Sequence, residues 1–423
     1  MNTEFLVRVA IGVARLWFYD GELPQADPPR VIAEAPQDEA TSPFRESRRI
    51  QVAAEHGGII GFIPDGKAGL ILLTGANQRY GAYRAGQASG PIPDRLVWTD
   101  SAGEERQAVE LPMSPRGLSQ TDDGTVYVVG DTSIAWYSAK GELLGQEEAP
   151  HFVLPEEEYE AFTEEAVERR DLSLEQQEIR LKREKETLSE IQDKPEEERT
   201  AYETSRLRSL TLQVESQKRY LEQRRNMTPQ QLFDEALRNS KQLYRVAVSK
   251  DHVFLVGRET FGYGYAVWRC DRSCQNPVQI MKGLSGCCGQ MDLQVIGDRL
   301  AVAENSRHRV VLADFEGETV ASFGSRDRNA AADSFSGCCN PMNTCRTPDG
   351  GLLTSESNGV VKRFAMDGTF QEIVGKASVQ SGCKNSSVGM AADGSRVYYL
   401  DIDKGQLVVL KKDEVILAQK ESP

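Results

Sequence analysis

Several features that would point directly to a function are missing from this sequence of 423 residues. It contains no apolar run long enough to cross a membrane as a helix, so no transmembrane segment is predicted. There is no phosphate-binding loop and no Gly-x-Ser-x-Gly or His-Glu-x-x-His pattern, so the motifs leave open whether the protein is an enzyme. With a net charge of −14 the surface repels phosphate, and we expect no nucleic-acid partner.

Cysteine and glycine are each absent from a long part of the chain. No cysteine precedes Cys270, and all eight cysteines follow within the C-terminal part. This clustering indicates a local function for the thiols, as disulfides or as metal or redox ligands. Glycine is absent from residues 155–242, which are rich in Glu, Arg, Lys, Gln and Leu. That composition favours helices over the turns that glycine serves elsewhere in the chain.

The N-terminal part has little of what an export signal requires. The apolar stretch from Phe5 to Phe18 is broken by Arg8 and Arg15, and Glu4 stands where a signal peptide carries positive charge. We therefore expect a packed strand or helix there, with no convincing signal peptide. The alternatives are a degraded export signal and a helix on a membrane surface. Residues 24–48 contain five prolines among many charges and are predicted to be an extended linker.

From residue 50 onward, short apolar runs alternate with turn residues, and four longer units repeat the same order of strands and turns. These units are Pro115–Leu144, Met291–Gly324, Met342–Gly375 and Gly389–Ile416. Four short strands in about 40 to 50 residues make one blade of a β-propeller. Two weaker units, Gly58–Ala85 and Gln242–Ile280, bring the number of blades to six. We expect N-terminal residues to complete the last sheet.

The helical stretch interrupts these repeats. We predict a short helix over Pro155–Asp171, a second from a Ser173 cap to Asp193, a third over Glu196–Arg225, and a fourth from a Thr228 cap to Lys241. Leucines at seven-residue spacing indicate that the two long helices pack as an antiparallel hairpin. The prediction is thus an all-β, six-bladed propeller with an inserted α-helical hairpin. Its segments are 1–49 (N-terminal segment and linker), 50–154 (first blades), 155–242 (hairpin) and 243–423 (cysteine-rich blades).

A short cysteine phrase recurs before the first strand of three successive blades. It reads SGCCGQM at residues 285–291, SGCCNPM at 336–342 and SGC at 381–383. Because the first strand of each blade lines the propeller axis, the loops that precede these strands lie on one face near that axis. The sequence therefore predicts one site composed of Cys287, Cys288, Cys338, Cys339 and Cys383.

Three states of the cysteines fit this site: ligands of a metal or cluster, disulfides, or free thiols. Converging thiolates select an iron–sulfur cluster, zinc or cuprous copper, whereas disulfides between blades need only that the sulfur atoms approach within bonding reach. Outside the site, the four-residue separation of Cys270 and Cys274 favours a local disulfide. Cys345 is expected in an inner strand, as a small buried residue or a partner of a cluster cysteine.

Two stretches resemble a known family. Asn305–Gly324, NSRHRVVLADFEGETVASFG, resembles an NHL repeat, and the Pro115 and Met342 units are similar. Ser336–Phe364 resembles a bacterial group of NHL-repeat proteins in which GCCNP precedes a strand. The resemblance implies an NHL-type propeller with a metal or redox theme, and it favours the bacterial periplasm or cell envelope, but it supplies no reaction.

Three functions follow as hypotheses. The first is a propeller that carries a cysteine-ligated metal or iron–sulfur site with an electron-transfer or redox-partner role. The second is a non-catalytic scaffold with structural disulfides, which binds a protein through a propeller face or the hairpin. The third is a lactonase-like hydrolase that uses a divalent cation and the acidic residues Glu304, Glu356 and Asp401 near the axis.

Overall fold

A computed structural model describes residues 42–66, 68–76, 92–262, 264–287, 291–327, 331–337, 339–382 and 386–413. This part of the chain contains six antiparallel sheets of four strands each and one helical insertion. None of its helices is long and apolar enough to cross a membrane. The predicted all-β propeller with a helical insertion is therefore confirmed.

The strands follow the chain from blade to blade. Blades one to three comprise β2 (Gly58–Pro64), β3 (Leu70–Gly75), β4 (Arg95–Thr99) and β5 (Glu105–Glu110); β6 (Pro115–Gln120), β7 (Val126–Gly130), β8 (Ser133–Tyr137) and β9 (Leu143–Glu148); and β10 (Leu243–Val248), β11 (His252–Arg258), β12 (Tyr265–Asp271) and β13 (Val278–Leu284). Blades four to six comprise β14 (Asp292–Ile296), β15 (Arg299–Glu304), β16 (Arg309–Ala313) and β17 (Thr319–Phe323); β18 (Asn343–Arg346), β19 (Leu352–Ser355), β20 (Val360–Phe364) and β21 (Phe370–Lys376); and β22 (Val388–Met390), β23 (Arg396–Asp401), β24 (Gln406–Lys412) and β1 (Phe44–Ile50).

The six inner strands form a closed ring. Each of β2, β6, β10, β14, β18 and β22 contacts the next, and β22 returns to β2. Apolar side chains of neighbouring blades pack between the sheets; Phe254 and Val267 of blade three, for example, share a cluster with Leu293, Val302 and Val311 of blade four. The core is thus a set of inter-blade layers around a central channel, as expected for a propeller.

The ring is closed by the first strand of the described chain. β1 pairs antiparallel with β24, from Phe44 opposite Lys412 to Ile50 opposite Leu407, and becomes the outer strand of the last blade. Its two ends, Phe44 and Ile50, are buried in different apolar clusters. This confirms the expectation that N-terminal residues complete the last sheet. The linker predicted over residues 24–48 is wrong at its end, because residues 44–48 belong to β1.

The first blade extends beyond the unit predicted for it. The prediction covered Gly58–Ala85, but the third and fourth strands of the sheet are β4 and β5, which end at Glu110. Residues 77–91, between β3 and β4, lie outside the described residues. A connection of this length between two strands of one blade interrupts the 40-to-50-residue rhythm on which the prediction depended.

The insertion contains three helices: α1 (Tyr159–Gln192), α2 (Ala201–Arg225) and α3 (Pro229–Ser240). The predicted break before Ser173 is wrong, because α1 is one helix of 34 residues, about 50 Å long. Neither glycine nor proline occurs between residues 156 and 194, so nothing interrupts the helix, and Ser173 lies in its interior. The predicted end of the helix before Pro195 is confirmed.

α1 and α2 pack antiparallel as a hairpin, here called the arm. Leu181 of α1 and Val214 and Leu221 of α2 are buried in the seam, with Leu174 and Leu188 packed against them. α2 begins at Ala201 rather than Glu196, because Thr200 and Glu203 form a capping box. The predicted capping box of Thr228 and Gln231 starts α3.

Candidate functional site

The cysteine phrases lie at the end of the propeller where the inner strands begin, here called the cysteine face. Cys287 lies in the loop between β13 and β14, and Cys339 lies shortly before β18. Cys287 is half-buried and Cys339 is buried. Cys288, Cys338 and Cys383 of the predicted site lie outside the described residues. The structure therefore places two of the five predicted site residues in loops of adjacent blades on this face.

The first cysteine loop is held by the turn that joins β15 to β16. The amide of Ser285 donates to Oε1 of Glu304 at 2.9 Å, and the amide of Cys287 donates to Oδ1 of Asn305 at 2.8 Å. Glu304 is completely buried, and its carboxylate also contacts the guanidinium groups of Arg307 at 2.8 Å and Arg309 at 2.5 Å. This carboxylate therefore anchors the cysteine loop to its own blade.

The second cysteine loop is held in a similar way. The amide and hydroxyl of Ser336 donate to Oε2 of Glu356 at 3.3 and 3.0 Å. The other oxygen of Glu356 lies 2.6 Å from Nζ of Lys362, and both side chains are buried. Asn340 adds a further tie, since its Nδ2 donates to the carbonyl of Ser336 and its Oδ1 accepts from the amide of Ser357.

The acidic residues of the hydrolase hypothesis therefore have a structural role. Glu304 and Glu356 hold the cysteine loops, and Asp401 of blade six accepts from Nη1 of Arg49 on β1 at 2.8 Å. Each carboxylate is buried and contacts at least one cation of the protein. The sequence signal for this structural role is an acidic residue at or just after the end of the second strand in each of three successive blades.

No group of three His, Cys, Asp or Glu side chains arranged as metal ligands occurs among the described residues, which include only two of the five predicted cysteines. The predicted metal site thus stays a prediction. The structure does show how two of the cysteine loops are anchored, because Glu304 and Glu356 accept equivalent hydrogen bonds from the first residues of two cysteine phrases.

The predicted disulfide between Cys270 and Cys274 is wrong. Both residues are unbonded thiols in one apolar cluster with Val253 and Leu255. Burial raises the pKa of both thiols, that of Cys270 to about 12. Asp271 closes the intervening turn instead, by accepting from the amides of Ser273 and Gln275 at 2.9 Å each. Cys345 lies in the inner strand β18 as expected.

The arm emerges from the cysteine face. It connects β9, the outer strand of blade two, to β10, the inner strand of blade three, so it occupies the position that the cysteine loops occupy in the next three blades. At its root, Phe162 of α1 packs against Phe152, Phe233 and Phe261. The amide of Gly262 donates to Oε1 of Glu165 at 2.6 Å, which fixes α1 to the loop between β11 and β12.

A buried histidine joins the two ends of the insertion. Nε2 of His151, before α1, lies 3.1 Å from the carbonyl of Ser240, the last residue of α3, and must donate to it. The ring also packs edge-on against Trp268 at 4.8 Å. Burial lowers the pKa of His151 to about 4, so the ring is neutral at pH 7. His151 therefore joins the two ends of the insertion by a hydrogen bond and packs them against Trp268 of blade three.

Comparisons with known proteins assign the chain to no family. No protein-family model matches the sequence, and no curated protein matches it either. Among solved structures, the chain is similar to the β-propeller domain of Cps50 (Swd1) from Myceliophteria thermophila, with a TM-score of 0.41, 8% identity and coverage of 88% of this chain and 100% of that one. It is also similar to the WD40 β-propeller domain of Doa1, with a TM-score of 0.41, 8% identity and coverage of 88% and 98%.

At this level of similarity the six-bladed assignment depends on the hydrogen-bonded sheets and the closed ring of the chain itself. The resemblance to NHL repeats stays a prediction.

Proposed function

We propose that the protein is a binding scaffold whose arm carries a groove for a basic amphipathic helix of a partner protein. The groove lies at the root of the arm and has a volume of about 560 Å³. One face of α1 and the first residue of α3 line it: Thr163, Glu164, Val167, Glu168, Asp171, Leu172, Glu175 and Pro229. The α1 residues recur every three or four positions, so they form one continuous stripe about 18 Å long.

The charges of the groove are the observation that carries the proposal. Glu164, Glu168 and Glu175 are exposed and make no ion pair with any residue that the structure describes, whereas Asp171 contacts Arg170 at 2.6 Å. Six other carboxylates of the insertion are paired with cations: Glu165 with Arg169, Glu178 with Arg225, Glu184 with Arg180, Glu203 with Lys194, Glu215 with Lys218 and Glu235 with Arg224. Exposed glutamates outside the groove, such as Glu186 and Glu190, also form no ion pair with a described residue, but they do not border an apolar groove. The groove thus concentrates negative charge that the arm itself does not neutralise.

The apolar part of the groove determines the shape of the partner. Val167, Leu172 and Pro229 supply apolar surface between the glutamates, and Leu172 is 37% exposed. Recognition of a helix in a groove places apolar anchors of the ligand at three- and four-residue spacing, with charged residues at the rim. Here the rim is acidic, so the complementary ligand has a leucine-rich stripe flanked by lysine or arginine.

A titration with a designed peptide tests this function. The probe is a fluorescent peptide of about 16 residues with leucines at helical spacing and lysines beside them, and its anisotropy is measured with the full chain. We expect saturable binding that weakens as salt is raised. The double variant Glu164→Lys and Glu168→Lys should weaken binding by at least roughly tenfold, because two attractive contacts become repulsive.

The matched control is the double variant Glu186→Lys and Glu190→Lys, which makes the same change of net charge on α1 at two exposed positions outside the groove. Its affinity should equal that of the native chain. Equal weakening by the control and the groove variants would show that only the net charge matters, and absence of saturable binding would equally contradict the proposal.

We also propose that the cysteine face holds a thiolate-ligated metal or iron–sulfur cluster. The supporting observation is that Glu304 and Glu356 hold two cysteine phrases in equivalent positions of adjacent blades. A preorganised metal site requires that residues other than the ligands hold the ligand loops in position. Cys287 and Cys339 would be ligands, together with two or more of Cys288, Cys338 and Cys383, and thiolate ligands select iron–sulfur clusters, zinc or cuprous copper.

Elemental analysis and an absorption spectrum of protein purified without oxygen test the cysteine site. We expect about one metal site per chain, with a broad visible band if the metal is iron in a cluster. Cys287→Ser and Cys339→Ser should each lower the metal content, and Cys345→Ser, a change in the inner strand, should leave it unchanged. Metal-free protein, or equal loss in all three variants, would contradict the site.

A further inference from the structure

We propose that a cavity between blades four and five, at the end of the propeller opposite the cysteine face, binds a small carboxylic acid with an apolar tail. The cavity has a volume of about 390 Å³. Sites for small molecules occupy roughly 300 to 1,000 Å³, so this cavity suits a small ligand rather than a polymer. The proposal goes beyond the scaffold function and depends neither on the arm nor on the cysteine loops.

The cavity lies where strands of the two blades turn. In blade four its wall comes from Ile296–Arg299, which includes the turn between β14 and β15, and from β16 and β17. In blade five it comes from Arg346, the last residue of β18, and from the turns that follow β18 and β20. The cysteine loops precede β14 and β18, so the far ends of these two strands lie at the other end of the propeller. Every segment of the wall belongs to the part of the chain that the structure describes.

The apolar part of the wall belongs to the layer that joins the two blades. Ile296 and Leu312 of blade four are buried in this layer, at 3% and 1% exposed. Phe364 of blade five belongs to the same layer, and Met366 packs against it. Val320 adds an apolar side chain that is 52% exposed. An apolar tail in the cavity would therefore cover Val320 and continue the packing between the blades.

Two guanidinium groups line the same cavity. Arg346 is exposed and forms no ion pair with any residue that the structure describes. Arg299 lies 3.4 Å from the carboxylate of Asp298, whose side chain is 87% exposed. Because an ion pair so open to water is weak, Arg299 can exchange Asp298 for the carboxylate of a ligand.

The acidic residues of the surrounding turns are engaged within their own blades. Asp349, in the turn after β18, contacts Arg363. Asp314, in the turn after β16, accepts from the amides of Glu316 and Glu318 at 2.9 Å each. Neither aspartate lines the cavity. The charged groups left to bind a ligand are therefore the two guanidiniums, and a planar guanidinium binds a carboxylate through two parallel hydrogen bonds.

The balance of charge favours a carboxylate as the head group. Arg299 and Arg346 contribute two positive charges to the wall and Asp298 contributes one negative charge, which leaves a net charge of +1. A single carboxylate neutralises that charge. A ligand that satisfies both parts of the wall thus carries one carboxylate on an apolar tail.

Isothermal titration of the full chain tests the site, with octanoate as the probe below its micelle-forming concentration. We expect saturable binding at one site per chain. Acetate carries the same head group without the tail, and octylamine carries the same tail with the opposite charge. Each should bind at least roughly tenfold more weakly than octanoate, because each lacks one of the two matching parts.

Variants of exposed residues test the two parts of the wall separately. Arg346→Gln should weaken octanoate binding by at least roughly tenfold through loss of a charged contact, and Arg346→Lys should give an intermediate affinity because it keeps the charge without the planar fork. Val320→Glu should also weaken binding by at least roughly tenfold, since it places a negative charge beside the ligand. Val320 lines this cavity and not the central channel, so its effect locates the bound probe.

The matched control is Arg396→Gln, which makes the same charge change at the same end of the propeller. Like Arg299, Arg396 is the first residue of the second strand of its blade, and it lies 4.0 Å from Asp393 of the preceding turn, but it does not line the cavity. It should bind octanoate as the native chain does. Absence of saturable octanoate binding, equal affinity for acetate or octylamine, or equal weakening by Arg396→Gln and Arg346→Gln would overturn the proposal.

Discussion

The double variant Phe44→Ala and Ile50→Ala should lower the free energy of unfolding by about 5 to 10 kcal/mol, measured by denaturant titration. Both side chains are buried at the ends of β1, the strand that closes the ring. Phe44 packs with Leu353 and Val374, whereas Ile50 packs with Ile59 and Leu400. The two sites share no partner in these clusters, so their effects should add.

A loss of this size matters because whole domains are stable by only about 5 to 15 kcal/mol. The control is Arg45→Ala, at an exposed position of the same strand, which should change the unfolding free energy by less than about 1 kcal/mol. If the double variant is as stable as the control, β1 does not close the ring in solution.

Replacing Lys362 by methionine should cost about 3 to 5 kcal/mol of stability, because it leaves Glu356 charged and buried. Both members of this pair are buried, and Glu356 also accepts from Ser336 in the second cysteine loop. We therefore expect Cys339, which is 2% exposed, to react faster with a thiol reagent in the variant, as followed by peptide mass spectrometry.

Two further variants test whether the unpaired charge of Glu356 causes the loss of stability. Adding Glu356→Gln to Lys362→Met should recover most of the stability, because it removes the unpaired charge and keeps an acceptor for Ser336. Lys404→Met removes an exposed partner that lies 3.9 Å from Asp401 and should cost less than about 1 kcal/mol. Equal losses for Lys362→Met and Lys404→Met would contradict the anchoring role of the buried pair.

Much of the fold could be predicted from sequence because each blade repeats local signals. Strand, turn and strand are encoded within a few residues; Asp314, for instance, accepts from the amides of Glu316 and Glu318 while Gly317 takes a φ of +89°. The hairpin seam was predictable for the same reason, from leucine spacing. The extent of blade one was not, because its third strand follows a long connection that no local signal assigns to the same sheet.

The sites were less predictable because their contacts join distant parts of the chain. The cysteine loops could be predicted from a repeated phrase, but the role of Glu304 and Glu356 as their anchors depends on how each turn folds over the loop. The cavity between blades four and five brings Arg299 and Arg346 to one wall, and no spacing rule connects two such residues. Ser173 shows the converse: serine often caps a helix, but here the helix-forming residues on both sides keep it in the interior of α1.

The groove on the arm is tested most directly by hydrogen exchange of the full chain with and without the basic amphipathic peptide. We predict that exchange slows in Thr163–Glu175 and around Pro229 while the cysteine loops exchange as before. The same peptide should give no protection in the variant that carries Glu164→Lys and Glu168→Lys. Protection elsewhere on the propeller with unchanged exchange in Thr163–Glu175 would contradict the proposed function.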